Sequence, residues 1–157
     1  MTTKIESFSG EYAFLSNFWD VRVEYDGGWF SSVEHAYQAA KYPKEARSVF
    51  RNGITPGQAK RLGGAAELPW DWEHKKIEIM TRLVLQKFRN NNPLKFLLLS
   101  TGDATLIEGN HWGDRFWGQC GGTGKNHLGR ILMYVRTVLR NEETLSYFFT
   151  EESPVED

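Results

Sequence analysis

Ser31-Ser-Val-Glu-His-Ala-Tyr-Gln-Ala-Ala-Lys-Tyr-Pro43 is the stretch from which the fold is read. Ser31 or Ser32 is a good helix N-cap, and Pro43 stops the helix at about Tyr42. At 3.6 residues per turn, Glu34, Gln38 and Lys41 share one narrow stripe and Tyr37 borders it. Ala36, Ala39 and Ala40 lie elsewhere and let neighbouring elements pack closely. If the stripe faces solvent it is an ordinary polar face. If it faces a cleft, it offers an acid/base group, an amide and an amine.

Upstream, Val21–Tyr25 alternates apolar and polar residues as a half-buried strand does. Asp26-Gly27-Gly28 signals a hairpin turn, with Trp29-Phe30 as the return strand. Tyr12–Trp19 is a dense apolar run with Ser16 and Asn17 in its middle, and residues 1–10 are polar and expected to be loose. Downstream, 44–51 reads as a short helix. Thr55 and Pro56 open another as N-cap and N1, with Gly63-Gly64 past its end. Asp71 is expected to cap the longest helix, about 72–90, with Ile77, Met80, Leu83, Val84 and Phe88 on its apolar face. The cluster His74-Lys75-Lys76 reads as solvated. A short helix over 94–99 and a strand over 105–108 follow. Asn126 is expected to cap a final helix of about 127–141 that buries Leu128, Ile131, Leu132, Val135, Val138 and Leu139.

These elements predict an α+β fold: a single, mainly helical domain over 1–149 with a small antiparallel hairpin, and an acidic, disordered tail over 150–157. A chain of 157 residues is long enough for one true core. A net charge of -1 implies no bulk attraction to nucleic acid or anionic lipid. Six Trp, several in loop-like contexts, suggest surfaces that stack on flat or sugar-like ligands. The single Cys120 excludes an internal disulfide and a cysteine-rich zinc site, and fits a reducing, cytoplasmic setting. No signal peptide or membrane span is visible.

The segment 109–125 is long for a structureless loop, and such loops tend to be functional. Its second half runs with many glycines into a helix start, a natural phosphate seat. It is not a Walker A loop: five residues separate Gly118 from Gly124, and Asn126 stands where Ser or Thr would ligate magnesium. Asp114 lies between Trp112 and Trp117 in sequence; a carboxylate against aromatic surface is an acid/base candidate, and a turn-capping Asp is the alternative. Four scattered His, His111 among them, give no metal-binding spacing, and Cys120 has no evident His partner. No metal or cofactor is expected.

Leu-Ser-Asn-Phe (15–18), Glu-His-Ala-Tyr-Gln-Ala-Ala-Lys (34–41), Glu108, Asp-Arg-Phe-Trp-Gly (114–118) and Gly-Lys-Asn-His-Leu-Gly-Arg-Ile-Leu-Met (124–133) resemble the NADAR family of YbiA-like proteins. The resemblance runs from about Phe8 to Arg140. It implies an α+β domain that binds ADP-ribose-like ligands and cleaves N-glycosidic bonds between ribose C1 and an exocyclic amine. Family substrates are ADP-ribosylated guanine in DNA, RNA or nucleotides, where the enzyme opposes an ADP-ribosyltransferase toxin, and phosphoribosylamino intermediates of riboflavin synthesis. By position it implies catalytic roles for Glu34, Lys41 and Asp114. It also implies substrate contacts from Ser16, Asn17, Tyr37, Gln38, Glu108, Trp112, Trp117, Gly118, Gly124 and Asn126. The family varies over 119–123, so phosphate or base preference does not transfer through that loop.

In the mechanism this suggests, Glu34 and Asp114 divide acid/base and charge-stabilising duties. Lys41 positions the ribose or forms an imine with its ring-opened form, Trp117 stacks, and the 121–126 turn holds pyrophosphate. The alternative from another class is a non-catalytic ADP-ribose or NAD binding module. The enzyme reading requires that the helix at 34–41 and the loop at 108–126 fold face to face.

Overall fold

A computed structural model describes residues 3–150. In chain order it contains β1 (Lys4–Ile5), a 3-10 helix (Gly10–Leu15), β2 (Val23–Tyr25), β3 (Gly28–Phe30), α1 (Val33–Ala39), a second 3-10 helix (Lys44–Arg51), α2 (Pro56–Gly64), α3 (Trp72–Arg89), α4 (Asn92–Ser100), β4 (Thr105–Leu106), β5 (Gly109–Asn110), β6 (Gln119–Cys120) and α5 (His127–Thr150). The fold is α+β. The strands pair two by two: β2 with β3 antiparallel, β1 with β4 and β5 with β6 parallel. Among the described residues, no helix is long and apolar enough to cross a membrane.

Helix α1 is the centre of the molecule, and every one of its residues is buried. Ser32 is its N-cap: Oγ accepts the His35 amide at 3.1 Å and donates to His35 Nδ1 at 2.6 Å. His35 Nε2 then donates to the Ile54 carbonyl at 2.7 Å, so one buried imidazole clamps the segment before α2 onto α1. The hairpin turns at Asp26 and Gly27, whose φ angles of 49° and 82° are those of a two-residue turn matched to strand twist, and β3 then leads into α1. The α2 helix opens with a reciprocal capping box between Thr55 and Gln58. Its buried Ala59 and Gly63 let it lie close against α1.

Several expectations are corrected. Helix α1 ends at Ala39, so Lys41 lies in the turn beyond it rather than on its stripe. Gly63 and Gly64 belong to the last turn of α2 instead of terminating it. Residues 4–5 are not loose, because Ile5 is buried and pairs with Leu106. Asp71 stands at the N-cap of α3 as expected, but its side chain makes no capping hydrogen bond; the carboxylate pairs with Lys75 at 2.6 Å instead. Ile77 is 39 % exposed, and Trp72 completes the buried face instead. The longest helix is α5, which runs on to Thr150. Its buried face ends at Leu139, with Val138 only half-buried, so the apolar pattern stops before the helix does. Ion pairs from Glu142 to Arg89 and from Glu143 to Lys95 tie the extension to α3 and α4. The expected tail lies, from 151 on, outside the described residues.

Of the charged side chains buried without an ion-pair partner among the described residues, Lys87 is the deepest. Lys87 on α3 is 1 % exposed, and its Nζ donates to the Ser16 carbonyl at 2.8 Å. No carboxylate lies within ion-pairing distance of it among the described residues. Burial pushes its pKa down from 10.5 to about 7. The unfolded chain therefore binds more protons than the folded one between these values, and stability rises with pH across that window. The Trp19 amide also satisfies the Ser16 carbonyl, so Lys87→Met orphans no acceptor. We expect thermal unfolding from pH about 7 to about 10 to show a rising melting temperature in the wild type, and that rise to flatten in Lys87→Met.

Candidate active site

Above α1 lies a cavity of about 420 Å³, within the range of small-ligand sites. Helix α1 contributes Glu34, Tyr37 and Gln38 to its wall. Opposite stand Glu108, Trp112, Asp114 and Trp117. Ser16 and Asn17 close one side. The two distant segments meet through the Tyr37 and Trp117 rings, edge to face with centroids 5.4 Å apart. The Asn17 carbonyl accepts the Glu34 amide at 3.0 Å, which ties the 16–17 loop to the first turn of α1.

Glu34 is 7 % exposed, and its Oε1 accepts from Gln38 Nε2 at 2.8 Å, one helical turn on. Burial pushes its pKa up, opposed by that hydrogen bond and by the charges of Lys60 and Lys41. Glu108 has its pKa raised to about 7, chiefly by burial; a hydrogen bond from Asn110 opposes this, and the Asp114 and Glu34 charges add to it. Two carboxyl groups in one cavity, each held toward the neutral form by burial, are equipped for acid/base work.

Asp114 lines the same cavity with a different local role. Its Oδ1 accepts the Phe116 and Trp117 amides at 3.0 and 2.9 Å, which folds 114–117 into a tight turn and aims Trp117 inward. Asn110 braces the turn by accepting from the Asp114 amide and donating to its carbonyl.

Four of the residues singled out in the sequence do not line the cavity: Lys41, Gly118, Gly124 and Asn126. Lys41 Nζ lies over the rings of Tyr37 and Trp72, 5.4 and 5.9 Å from their centroids, and burial lowers its pKa. Gly118 passes directly beneath Glu108, where a Cβ would overlap the Glu108 carboxylate and carbonyl. Asn126 adopts a left-handed backbone, φ 53°, and spends its side chain on β4 and its exit. Its Nδ2 donates to the Leu106 carbonyl and its Oδ1 accepts the Glu108 amide, both at 2.9 Å. The expected side-chain N-cap is therefore replaced by a tether that sets the height of Glu108.

The start of α5 is also committed internally. The amides of Asn126, His127 and Leu128 donate to the carbonyls of Gly118, Phe116 and Trp117, and Lys125 donates to Arg115. The first amides of α5 are thus closed off by the 115–118 backbone.

The main residue missed in the sequence is Lys60 on α2, which lines the cavity and lies 5.1 Å from the Trp112 ring centroid. Lys76, read as solvated, instead lies 3.9 Å from the Phe116 ring centroid. Among the described residues, no group of three or more His, Cys, Asp or Glu side chains is placed to hold a metal ion.

The NADAR domain model matches residues 6–140. The chain belongs to the NADAR domain family. It is 36 % identical over 143 residues to the N-glycosidase YbiA of Escherichia coli, covering 87 % of this chain and 88 % of that one. It is 38 % identical over 138 residues to the N-glycosidase Npun_R5314 of Nostoc punctiforme, covering 83 % and 87 %. A riboflavin biosynthesis protein of Vibrio vulnificus, VVA0006, is 40 % identical over 135 residues, 82 % of this chain but 36 % of that longer protein. The NMR structure of E. coli YbiA superposes with a TM-score of 0.80 at 33 % identity, over 92 % of this chain and 89 % of that one.

The packing of α2 on α1 makes one test of the site. A Cβ on Gly63 would overlap the amide of Gln38, the side chain that holds Glu34. A Gly→Ala change inside a helix ordinarily stabilises; here the sign reverses. Gly63→Ala is expected to cost roughly 1–3 kcal/mol in denaturant unfolding. Gly64→Ala, where a Cβ meets open space, is expected to be neutral or mildly stabilising.

Proposed function

We propose that this chain is an N-glycosidase that hydrolyses the bond between ribose C1 and an exocyclic amine, with ADP-ribosylated guanine in nucleic acid or nucleotides as its substrate class. The observation that carries the reading is the pair Glu34 and Glu108 in one aromatic-walled cavity, both with raised pKa values. Relatives named N-glycosidase at 36 and 38 % identity support the reaction type.

In this mechanism Glu108, protonated near neutrality, gives its proton to the leaving amine nitrogen as the C1–N bond breaks. The electron pair of that bond leaves with the nitrogen, so positive charge develops over C1 and the ring oxygen. Glu34, held by Gln38, meets that charge in its ionised form, which the charge itself favours. Water adds to C1 and passes a proton to the carboxylate that Glu108 has become, giving ADP-ribose with a C1 hydroxyl and the free guanine amine, and restoring the acid. Asp114 keeps Trp117 in place as the sugar-stacking wall, so its part is orienting rather than proton-donating. Lys60 reaches the ribose hydroxyls from the cavity wall; Lys41, off the cavity lining, acts from behind Tyr37, either orienting that ring against the ribose or forming the imine with a ring-opened ribose that extends past it.

A second reading is hydrolysis of phosphoribosylamino intermediates of riboflavin synthesis. Matching relatives named as riboflavin biosynthesis proteins favour it, with the same bond and the same two carboxyl groups.

Mass spectrometry of products from guanine-ADP-ribosylated oligonucleotide and from the phosphoribosylamino compound separates the two. The first is expected to turn over faster. Glu108→Gln is expected to lower kcat by about 10²–10⁴-fold. Wild-type kcat is expected to fall as pH rises through about 7, where the acid loses its proton. Lys41→Ala is expected to lower turnover at least about tenfold. A borohydride-trapped adduct that disappears in that variant selects the imine route, and no adduct in the wild type leaves Lys41 as an orienting group.

A further inference from the structure

The Ser16–Asn17 wall of the cavity has no regular structure of its own, since the 3-10 helix before it ends at Leu15. Its position is set by what grips it, and α3 grips it at two points. Met80 Sδ accepts from Asn17 Nδ2 at 3.4 Å, and Lys87 Nζ donates to the Ser16 carbonyl at 2.8 Å. Met80 and Lys87 lie two turns apart on one face of α3, each 1 % exposed. The next carbonyl along the loop, that of Asn17, accepts the Glu34 amide. A single peptide unit therefore links the buried amine of α3 to the first turn of α1.

A lysine is a costly choice at that place. Taking an ammonium out of water with no counter-charge opposes folding, and the lowered pKa of Lys87 reports that cost. An apolar side chain of the same length would fill the space without it, and the Ser16 carbonyl would keep the Trp19 amide as donor. Core stability thus supplies no reason for an amine at 87. Charge supplies none either. Burial is what moves the Lys87 pKa, and the charges that Glu34 feels are those of Lys60, Lys41 and His35. What remains is the bond to Ser16. An amine carries N–H groups whether or not it is protonated, so this tie does not depend on the charge.

We propose that Lys87 is a positioning residue of the active site: by holding the Ser16 carbonyl it fixes the 16–17 wall against the first turn of α1, so that wall and Glu34 carboxyl group keep one spacing. Lys87 is absent from the cavity lining and acts only through the loop. The inference rests on the glycosidase reading and adds to it a residue that no contact with substrate would reveal.

Three measurements on the full chain test it: residue-by-residue amide hydrogen exchange, thermal unfolding, and turnover of guanine-ADP-ribosylated oligonucleotide. The wild type is compared with Lys87→Met and with Leu139→Ala, which truncates a fully buried side chain of α5 that is no part of the cavity wall. At neutral pH, Lys87→Met is expected to melt no lower than the wild type. Its Glu34 amide is expected to exchange at least about tenfold faster, relative to the later amides of α1. Its kcat is expected to fall about tenfold with KM within about twofold, the pattern of a displaced transition-state contact. Leu139→Ala should do the reverse, melting lower while the relative Glu34 exchange and kcat stay as in the wild type. A Met variant that melts lower or does not fold overturns the proposal, because Lys87 then serves the core. Wild-type exchange at Glu34, or wild-type kcat beside a measurable wild-type turnover, overturns it as well. The exchange readout needs no substrate: faster Glu34 exchange in a chain that releases no ADP-ribose would leave the tie standing and remove the glycosidase reading alone.

Discussion

The structure depends on putting a carboxyl group into the middle of its core. A buried carboxylate is tolerable only when hydrogen bonds and neighbouring charge compensate lost hydration. Here Glu34 sits on a helix buried on every side, and the compensation comes from Gln38 one turn away and from two lysines beyond. Each requirement constrains a neighbour. Gln38 can lie where it does only because Gly63 has no side chain. Lys60 reaches the cavity only because Ala59 and Gly63 let α2 lie close to α1.

The opposite wall follows a second constraint. Its residues 108–118 contain little regular structure, yet few of their polar groups are left idle. Asp114 binds two amides, Asn110 binds both sides of the Asp114 peptide, and Asn126 fixes Glu108 from below. A loop so cross-tied behaves like a rigid element, which is what the acid role proposed for Glu108 requires. Glycine at 118 is needed because Glu108 packs directly over it, so its role is steric rather than conformational.

Much of this was legible in the chain. The cap at Ser31 or Ser32, the turn in Asp26-Gly27-Gly28 and the Thr55 cap with Pro56 behind it are local signals whose cause lies within a few residues, and they read correctly; the Gln58 half of the capping box went unread. The facing of Tyr37 and Trp117 was legible through family resemblance, not periodicity. What stayed hidden was non-local. Two-residue parallel strands carry no alternation, so β1 with β4 and β5 with β6 were invisible as pairs. Nothing on α2 marks Lys60 as a cavity residue, because its importance comes from the distance between two helices. Asn126 looked like a cap because helix starts favour Asn, but a left-handed backbone turned its amide toward β4. The length of α5 was underestimated because burial ends at Leu139 while charge pairs carry the helix onward.

The ring of backbone bonds joining 115–118 to the start of α5 leaves the tip between them outside the closure. Cys120 and Thr123 bond to each other across Gly121 and Gly122, which are exposed and left-handed. Such a tip hangs from a sealed loop like a handle from a lid: its length can change, or a foreign segment be spliced in, without moving the carboxyl groups below. Changes in length among homologous chains would accumulate between 120 and 123 at little structural cost, leaving that spot open to acquire new contacts while the walls beneath stay fixed.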